Sequence, residues 1–301
     1  MKDLTQKDLK IDIMNSSSDE KVILLTGGLG NQIFQYAFGL YLESEYQLKV
    51  KYSFYNTTSK KASKRTFALN NLYEVDTCSS KLLYTINNFK IFKFLIFKFS
   101  WLAKLFGVIT EPNFKKFFKD RQPLTNYKYF IGFWQDNLYL DKNLEILKTF
   151  KRSDVTFSKI KNEVFASKME YVALHLRRGD YLKLSGFHNI IGKDYYIKAI
   201  NKVQNITGSP EILLFSDDLN ESKKLTQELP FEIKIIHYPE LDDVGEFRLM
   251  TECNHFITAN STFSFLAAKL SKREDSIKIT PEKWFVTDNT IMIQDSSFLY
   301  L

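Results

Sequence analysis

Residues 171–280 carry a pattern that few folds accommodate: short apolar runs alternate with segments of helical spacing. The runs at 171–176, 211–215, 232–237, 255–258 and 277–280 have the length of buried strands. Between them, 194–203, 219–228, 245–253 and 261–270 read as helices. A strand that re-enters its sheet through a helix runs parallel to its predecessor, and a parallel sheet needs both faces covered. The pattern therefore predicts a doubly wound α/β sheet. Ligands of such sheets sit at the carboxyl ends of the strands, so the residues just after each run are the candidates for chemistry.

The first half opens in the same way. An apolar run at 21–26 (KVILLT) leads into GGLGN at 27–31 and a helix over 32–46 that apolar residues nearly encircle. Strand, glycine turn and buried helix begin a Rossmann-like unit, but the spacing G-G-x-G-N does not meet the dinucleotide fingerprint G-x-G-x-x-G. Gly28 and Gly30 fit either a plain tight turn or close approach to a ligand. Asn31 fits either a helix cap or a site residue. Further strands are predicted at 49–55 and 129–134, the latter ended by Gln135 and Asp136, with a basic polar loop at 59–65. With 301 residues the chain is long enough for two domains. The expected division is an N-terminal arm over 1–20, a Rossmann-like domain over 21–160 and a second over 161–301. The last residues either stay with the second domain or return to the first.

Composition matters at three points. A net charge of +7 suits anionic partners such as sugar nucleotides, anionic lipid headgroups or nucleic acid. No nucleic-acid recognition motif accompanies it, and the basic residues are dispersed. The two cysteines, Cys78 and Cys253, form no C-x-x-C pair, so a disulfide framework and a thiolate zinc site are both improbable and a reducing cytoplasm is expected. Residues 1–20 are polar, without the apolar core of a signal peptide, and no apolar run reaches the 18 residues of a membrane-spanning helix. The segment 81–119 is the exception to an ordinary composition, because phenylalanines, Trp101 and aliphatic residues interleave there with Lys90, Lys93, Lys98 and Lys104. It reads either as helices packed on the first domain with lysine stems pointing outward, or as a basic amphipathic surface at the inner face of a membrane.

Three strand ends carry polar groups. The first is His175-Leu176-Arg177-Arg178-Gly179-Asp180, where two guanidiniums, a permissive glycine and a carboxylate follow a buried strand. Arginine presents a planar fork of donors matched to phosphate oxygens and stays charged at any relevant pH. The second is Ser216-Asp217-Asp218, which fits a turn with a helix cap as well as it fits a site. The third is Asn260-Ser261-Thr262, where unpaired helix N–H groups and two hydroxyls make a phosphate cradle or, by themselves, a plain cap. Structural carboxylates could equally neutralise the arginines. The conjunction of all three on successive strands favours one diphosphate held from two sides.

The segments GGLGNQIFQYAFGLYL (27–42), GFWQD (132–136), HLRRGDY (175–181), KDYYIKAI (193–200), FSDD (215–218), LMTECNHFITANSTFSFLAA (249–268) and PEKWF (281–285) resemble, in order, those of the bacterial α-1,2-fucosyltransferases of glycosyltransferase family eleven. The resemblance implies an α/β fold of the GT-B kind, two Rossmann-like domains facing a cleft. It implies GDP-fucose as donor, inversion at the anomeric carbon, no metal or other cofactor, and the 2-hydroxyl of a galactose as acceptor. It places Arg177 on the β-phosphate and the His175 backbone near guanine. Ser261 and Thr262 fall on the diphosphate, and Arg178, Ser216, Asp217, Asp218, Asn260, Gly28 and Gly30 in the donor pocket. Asn31 falls where donor and acceptor meet. Two departures stand out. The guanine-binding carboxylate, usually Asp, is here Glu246, and a tryptophan-rich S-x-S-W-W-G-A-W is here STFSFLAA (261–268). An inverting transfer also needs a base for the acceptor proton, for which Asp180 and His188 are the candidates. Asp180 fits a partner of Arg178 equally well.

The expectation is thus a cytoplasmic fucosyltransferase acting on a galactose-terminated oligosaccharide or lipid-linked surface glycan. A peripheral contact with anionic membrane is compatible with it, and nucleic acid is not expected. A different GDP-sugar transferase and a non-catalytic nucleotide- or anion-binding module are the alternatives.

Overall fold

The structure is a computed structural model that describes residues 20–55, 66–119, 124–167, 170–179, 189–285 and 293–301. The chain forms two compact units that divide between Leu144 and Glu145.

The first unit runs β1 (Lys21–Leu25), α1 (Leu29–Tyr46), β2 (Val50–Phe54), α2 (Leu69–Leu72), α3 (Lys81–Asn88), α4 (Lys90–Lys98), α5 (Ser100–Leu105), β3 (Val108–Thr110), α6 (Glu111–Lys119), β4 (Tyr129–Ile131) and α7 (Asn137–Lys142). Its strands form a parallel sheet in the order β2-β1-β4-β3. β1 is buried along its whole length, as a central parallel strand must be. α1 begins at Leu29, earlier than the predicted 32, so Gly30 and Asn31 lie in its first turn and Gly28 is its N-cap. It buries residues around most of its circumference, and its Phe38 stacks on Trp134 at 3.9 Å between ring centroids. The predicted strand at 129–134 stops at Ile131. Beyond it the Glu111 carboxylate accepts from the Phe133 and Trp134 N–H groups at 2.9 and 3.0 Å, and Trp134 turns to φ 56°. The segment 81–119 packs inward through Leu83, Ile86, Ile96, Ala103 and Val108 onto Val22, Leu24 and Ile131. It contains the strand β3, which the sequence pattern did not reveal.

The second unit contains α9 (Val155–Val164), after the short α8 (Leu144–Leu147) at the division, then β5 (Tyr171–Leu176), α10 (Lys193–Thr207), β6 (Glu211–Ser216), α11 (Leu219–Glu228), β7 (Ile233–Ile235), α12 (Asp243–Thr251), β8 (His255–Ile257), α13 (Thr262–Lys269), β9 (Lys278–Thr280) and β10 (Leu299–Tyr300). The sheet is parallel with the order β10-β9-β8-β5-β6-β7. On one face Val172, Leu174, Ile212 and Leu214 pack against Tyr196, Ala199, Ile200 and Val203 of α10. Truncating a fully buried residue of this cluster, such as Leu174, to alanine removes about 2–5 kcal/mol. The division comes earlier than the expected 160/161 because α9 is tied to the second unit: Lys161 pairs with Glu252 at 2.8 Å and Glu163 accepts from the Tyr238 hydroxyl at 3.0 Å. The chain end belongs to the second unit, where β10 extends the sheet beside β9.

The second sheet reverses its winding once, between β5 and β8. Such a switch point opens a crevice at the carboxyl ends of the two diverging strands.

Candidate functional site

This switch point gathers most of the polar residues read from the sequence. β5 delivers His175 and the arginines, the adjacent β6 delivers Ser216 and Asp217, and β8 delivers the turn into α13. Asp217 organises the arginine turn. Its Oδ2 lies 2.8 Å from Arg177 Nη1, while Oδ1 accepts from the backbone N–H groups of Arg178 and Gly179 at 2.9 and 3.2 Å. One carboxylate therefore fixes both the guanidinium and the backbone that follows it. Gly179 is demanded by this arrangement, because a Cβ there would meet Asp217 Oδ2 at 2.5 Å. Arg178 has a different role: its Nη2 donates to the Ile191 carbonyl at 2.6 Å, which holds the approach to α10. Asp180 and His188, the two candidate bases, lie outside the described residues.

His175 is buried behind the arginine turn, its ring facing Phe263 at 5.8 Å. Its carbonyl accepts from the Tyr196 hydroxyl at 3.2 Å, and its Nδ1 is buried without a hydrogen-bond partner among the described residues. Burial pushes the imidazole down to about 3, with Arg177 adding to the effect and Asp217 opposing it, so the ring is neutral in solution near neutral pH. Glu246, in the first turn of α12, is moved in the opposite sense. Burial, with the charges of Asp243, Asp217 and Asp242, raises its carboxyl to about 7. Phe263, which stands in the departure from the tryptophan-rich segment, packs between His175 and Phe247, whose ring centroid is 5.4 Å away. It serves as floor to the site, a role that its place in an apolar run conceals.

Adjacent polar residues divide into site and scaffold. Asp218 caps α11, its Oδ1 accepting from the N–H groups of Asn220 and Glu221 at 3.0 Å each, and Ser216 Oγ accepts from Asp218 N at 3.1 Å. Ser261 caps α13 by accepting from Phe263 N at 3.4 Å, and Thr262 opens that helix. Asn260 donates from its amide nitrogen to the Asn189 and Trp284 carbonyls at 2.8 and 2.9 Å, which ties the residue at the far end of the arginine loop to the β8–α13 turn. The candidate residues gathered at this switch point are then Arg177, Asp217, His175, Glu246 and the Ser261-Thr262 helix start.

In the first unit Asn31 Oδ1 accepts from Gln135 Nε2 at 2.9 Å, joining the start of α1 to the exit of β4. The positive φ of the turn falls on Gly27 (82°), ahead of Gly28 and Gly30. A Cβ on Gly27 would meet Asn31 Nδ2 at 2.4 Å, so the glycine clears the space that Asn31 occupies. Two glutamines that sequence reasoning passed over hold this turn. Gln32 donates to the Gly27 and Thr66 carbonyls at 3.0 and 2.9 Å and accepts from Leu69 N at 3.0 Å. Gln35 accepts from Thr26 N at 2.9 Å and donates to the Gly132 carbonyl at 2.9 Å. Both are fully buried polar residues on an otherwise apolar helix, and that contrast was their signal in the sequence.

Among the described residues no cluster of three or more His, Cys, Asp or Glu side chains is placed to hold a metal ion, and no helix is long and apolar enough to cross a membrane.

Known proteins match nearly the whole chain. An Escherichia coli O-antigen biosynthesis glycosyltransferase, WbnK, is 28% identical over 92% of this chain and 99% of its own length. An E. coli alpha-1,2-colitosyltransferase is 30% identical over 88% of this chain and 92% of its own. Among solved structures, the alpha-1,6-fucosyltransferase NodZ soaked with GDP-fucose aligns at a TM-score of 0.52 and 12% identity over 86% of this chain and 95% of that one. A structure of NodZ from Bradyrhizobium aligns at 0.51. These two likenesses speak for the fold, which is of the GT-B kind. The profile of glycosyl transferase family 11 matches residues 20–299, and the chain belongs to that family of glycosyltransferases.

Proposed function

We propose that the protein is an inverting, metal-independent transferase that moves L-fucose from GDP-fucose to the 2-hydroxyl of a terminal β-galactose in an O-antigen or other surface-polysaccharide unit. The observation that carries this reading is the Arg177 guanidinium, fixed by Asp217 at the carboxyl end of a central strand. Breaking the fucose–phosphate bond leaves negative charge on the β-phosphate of GDP, and a preorganised cation at that position stabilises it in the transition state. The helix start at Ser261-Thr262 supplies N–H and hydroxyl donors for the same diphosphate. Glu246 in its ionised form accepts from the guanine N–H groups, and His175, neutral beside the arginine, adds no competing charge. On the acceptor side, the Asn31–Gln135 pair and the exposed ring of Phe133 next to it offer polar and apolar contacts to a sugar. A carboxylate or imidazole from the segment of Asp180 and His188 takes the acceptor proton as the new bond forms on the face opposite the departing GDP.

A second reading, transfer of a related GDP-linked deoxy sugar, draws on the relative named as an alpha-1,2-colitosyltransferase. Colitose is fucose without its 3-hydroxyl, so both donors fit one diphosphate site and differ at a single polar contact. The test is incubation with lactose, EDTA and either GDP-fucose or GDP-colitose, with product identified by mass and by NMR of the new linkage. A fucosylated trisaccharide with free GDP is expected. Turnover of the colitose donor alone would move the assignment to the second reading. Tight GDP binding with no product from either donor on any β-galactoside would reduce the protein to a nucleotide-binding module.

A further inference from the structure

The segment that completes the first unit has two faces, and the fold uses one of them. Leu83, Ile86, Ile96 and Ala103 point into the core, with Phe92 and Leu102 partly buried beside them. The other face is apolar as well. Of eighteen exposed large apolar side chains among the described residues, half lie between 84 and 106, including Ile91 at 77%, Leu105 at 74%, Trp101 at 66%, Phe89 at 58% and Phe94 at 57% exposed. Single exposed apolar residues are ordinary, whereas a concentration within one stretch of short helices marks an interaction surface.

The charge around these side chains selects the partner. Residues 77–110 contain five lysines and no acidic residue, in a chain that has 35 Asp and Glu in all. The lysines stand among the rings: Lys98 Nζ lies 5.2 Å from the Phe94 ring centroid and 5.5 Å from that of Phe99. The cores of protein–protein interfaces are depleted in lysine, whose ammonium is strongly hydrated. A bilayer surface suits the same mixture, because rings enter the boundary between headgroups and acyl chains while lysine stems carry their charges out to the lipid phosphates. The helices are too short to cross a membrane, so such a contact lies in the plane of the interface.

We propose that the outward face of α4 and α5 docks the protein on an anionic phospholipid bilayer. This holds whatever sugar the enzyme transfers, since none of the donor-site residues takes part.

The experiment uses the full chain with vesicles of phosphatidylcholine alone or mixed with phosphatidylglycerol. Trp101 is the reporter, because Trp134 and Trp284 are 1% and 3% exposed. Co-sedimentation with the anionic vesicles only, a blue shift of indole emission, and at least about tenfold weaker binding at high salt are expected. Two double variants separate the contributions. Phe94→Ser with Trp101→Ser removes apolar area, Lys90→Gln with Lys93→Gln removes charge, and each should weaken vesicle binding about tenfold or more with GDP affinity unchanged. The proposal is overturned if the wild type ignores anionic vesicles, or if neither variant alters binding. It is also overturned if the wild type self-associates without lipid and the Phe94/Trp101 variant is monomeric, which would make the face a subunit interface.

Discussion

Replacing Asp217 by asparagine tests the arrangement on which the proposed catalysis rests. The carboxylate meets three partners: Arg177 Nη1 at 2.8 Å and the N–H groups of Arg178 and Gly179 at 2.9 and 3.2 Å. An asparagine keeps one acceptor oxygen. If that oxygen stays with the two backbone donors, its amide NH2 faces the guanidinium, donor against donor, and Arg177 turns away. The pair is about one-fifth to one-quarter exposed, so its loss falls between that of a screened surface pair and a buried charge-assisted bond, about 1–2 kcal/mol of stability. For a chain of this size that lowers Tm by about 2–8 °C. Catalysis is the more sensitive readout, since a displacement of about 1 Å in a charge-stabilising group costs about a hundredfold, or about 2.7 kcal/mol of transition-state stabilisation. The assay is GDP release from GDP-fucose with lactose, alongside calorimetric GDP affinity. Asp218→Asn is the matched control, because asparagine caps a helix about as well as aspartate does and Asp218 serves as the α11 cap. Turnover near wild type in Asp217→Asn, or equal losses in both variants, would refute the clamp.

Four further outcomes are expected. The raised carboxyl of Glu246 makes GDP affinity fall as pH drops through about 7, and Glu246→Gln should flatten that profile in titrations across this range. The same group binds its proton more tightly folded than unfolded, so apo stability falls as pH rises from about 4.5 to 7; Glu246→Gln should therefore be more stable than wild type at pH 8, by about 2–3 kcal/mol at most, with little difference near pH 4. Gln32→Leu leaves the Leu69 N–H and the Gly27 carbonyl without their side-chain partner in a buried setting and should cost about 2–4 kcal/mol in denaturant unfolding. Gly179→Ala drives a methyl against Asp217 Oδ2 and should weaken GDP binding in calorimetry while leaving Tm nearly unchanged, because the turn is only half-buried and the atom it meets is the end of a side chain.

Much of the second unit was legible from residue order because strand length and helical period are local properties. The strands at 171–176 and 211–216 and the helix at 219–228 lie where the apolar runs put them. β3 and β10 escaped because three and two residues carry no period of their own and owe their strand character to a neighbour. α1 reaches back over Gly30 and Asn31 although glycine disfavours helix, since tertiary burial of Leu29 and Ile33 overrides the propensity.

The site divides along the same line. That the candidate polar residues gather at the ends of β5, β6 and β8 follows from the sequence, because a parallel sheet sends its loops to one edge and the arginines, aspartates and hydroxyls follow the apolar runs directly. Which partner each member of a pair takes was a tertiary decision. Asp217 and Asp218 are neighbours, yet one reaches Arg177 forty residues away in the chain and the other turns to the first N–H groups of its own helix. Asn260 and Ser261 part in the same way, one holding the carbonyls of Asn189 and Trp284 and the other capping α13. Period and composition are written along the chain, but the partner of a polar side chain is set by where distant strands bring their ends.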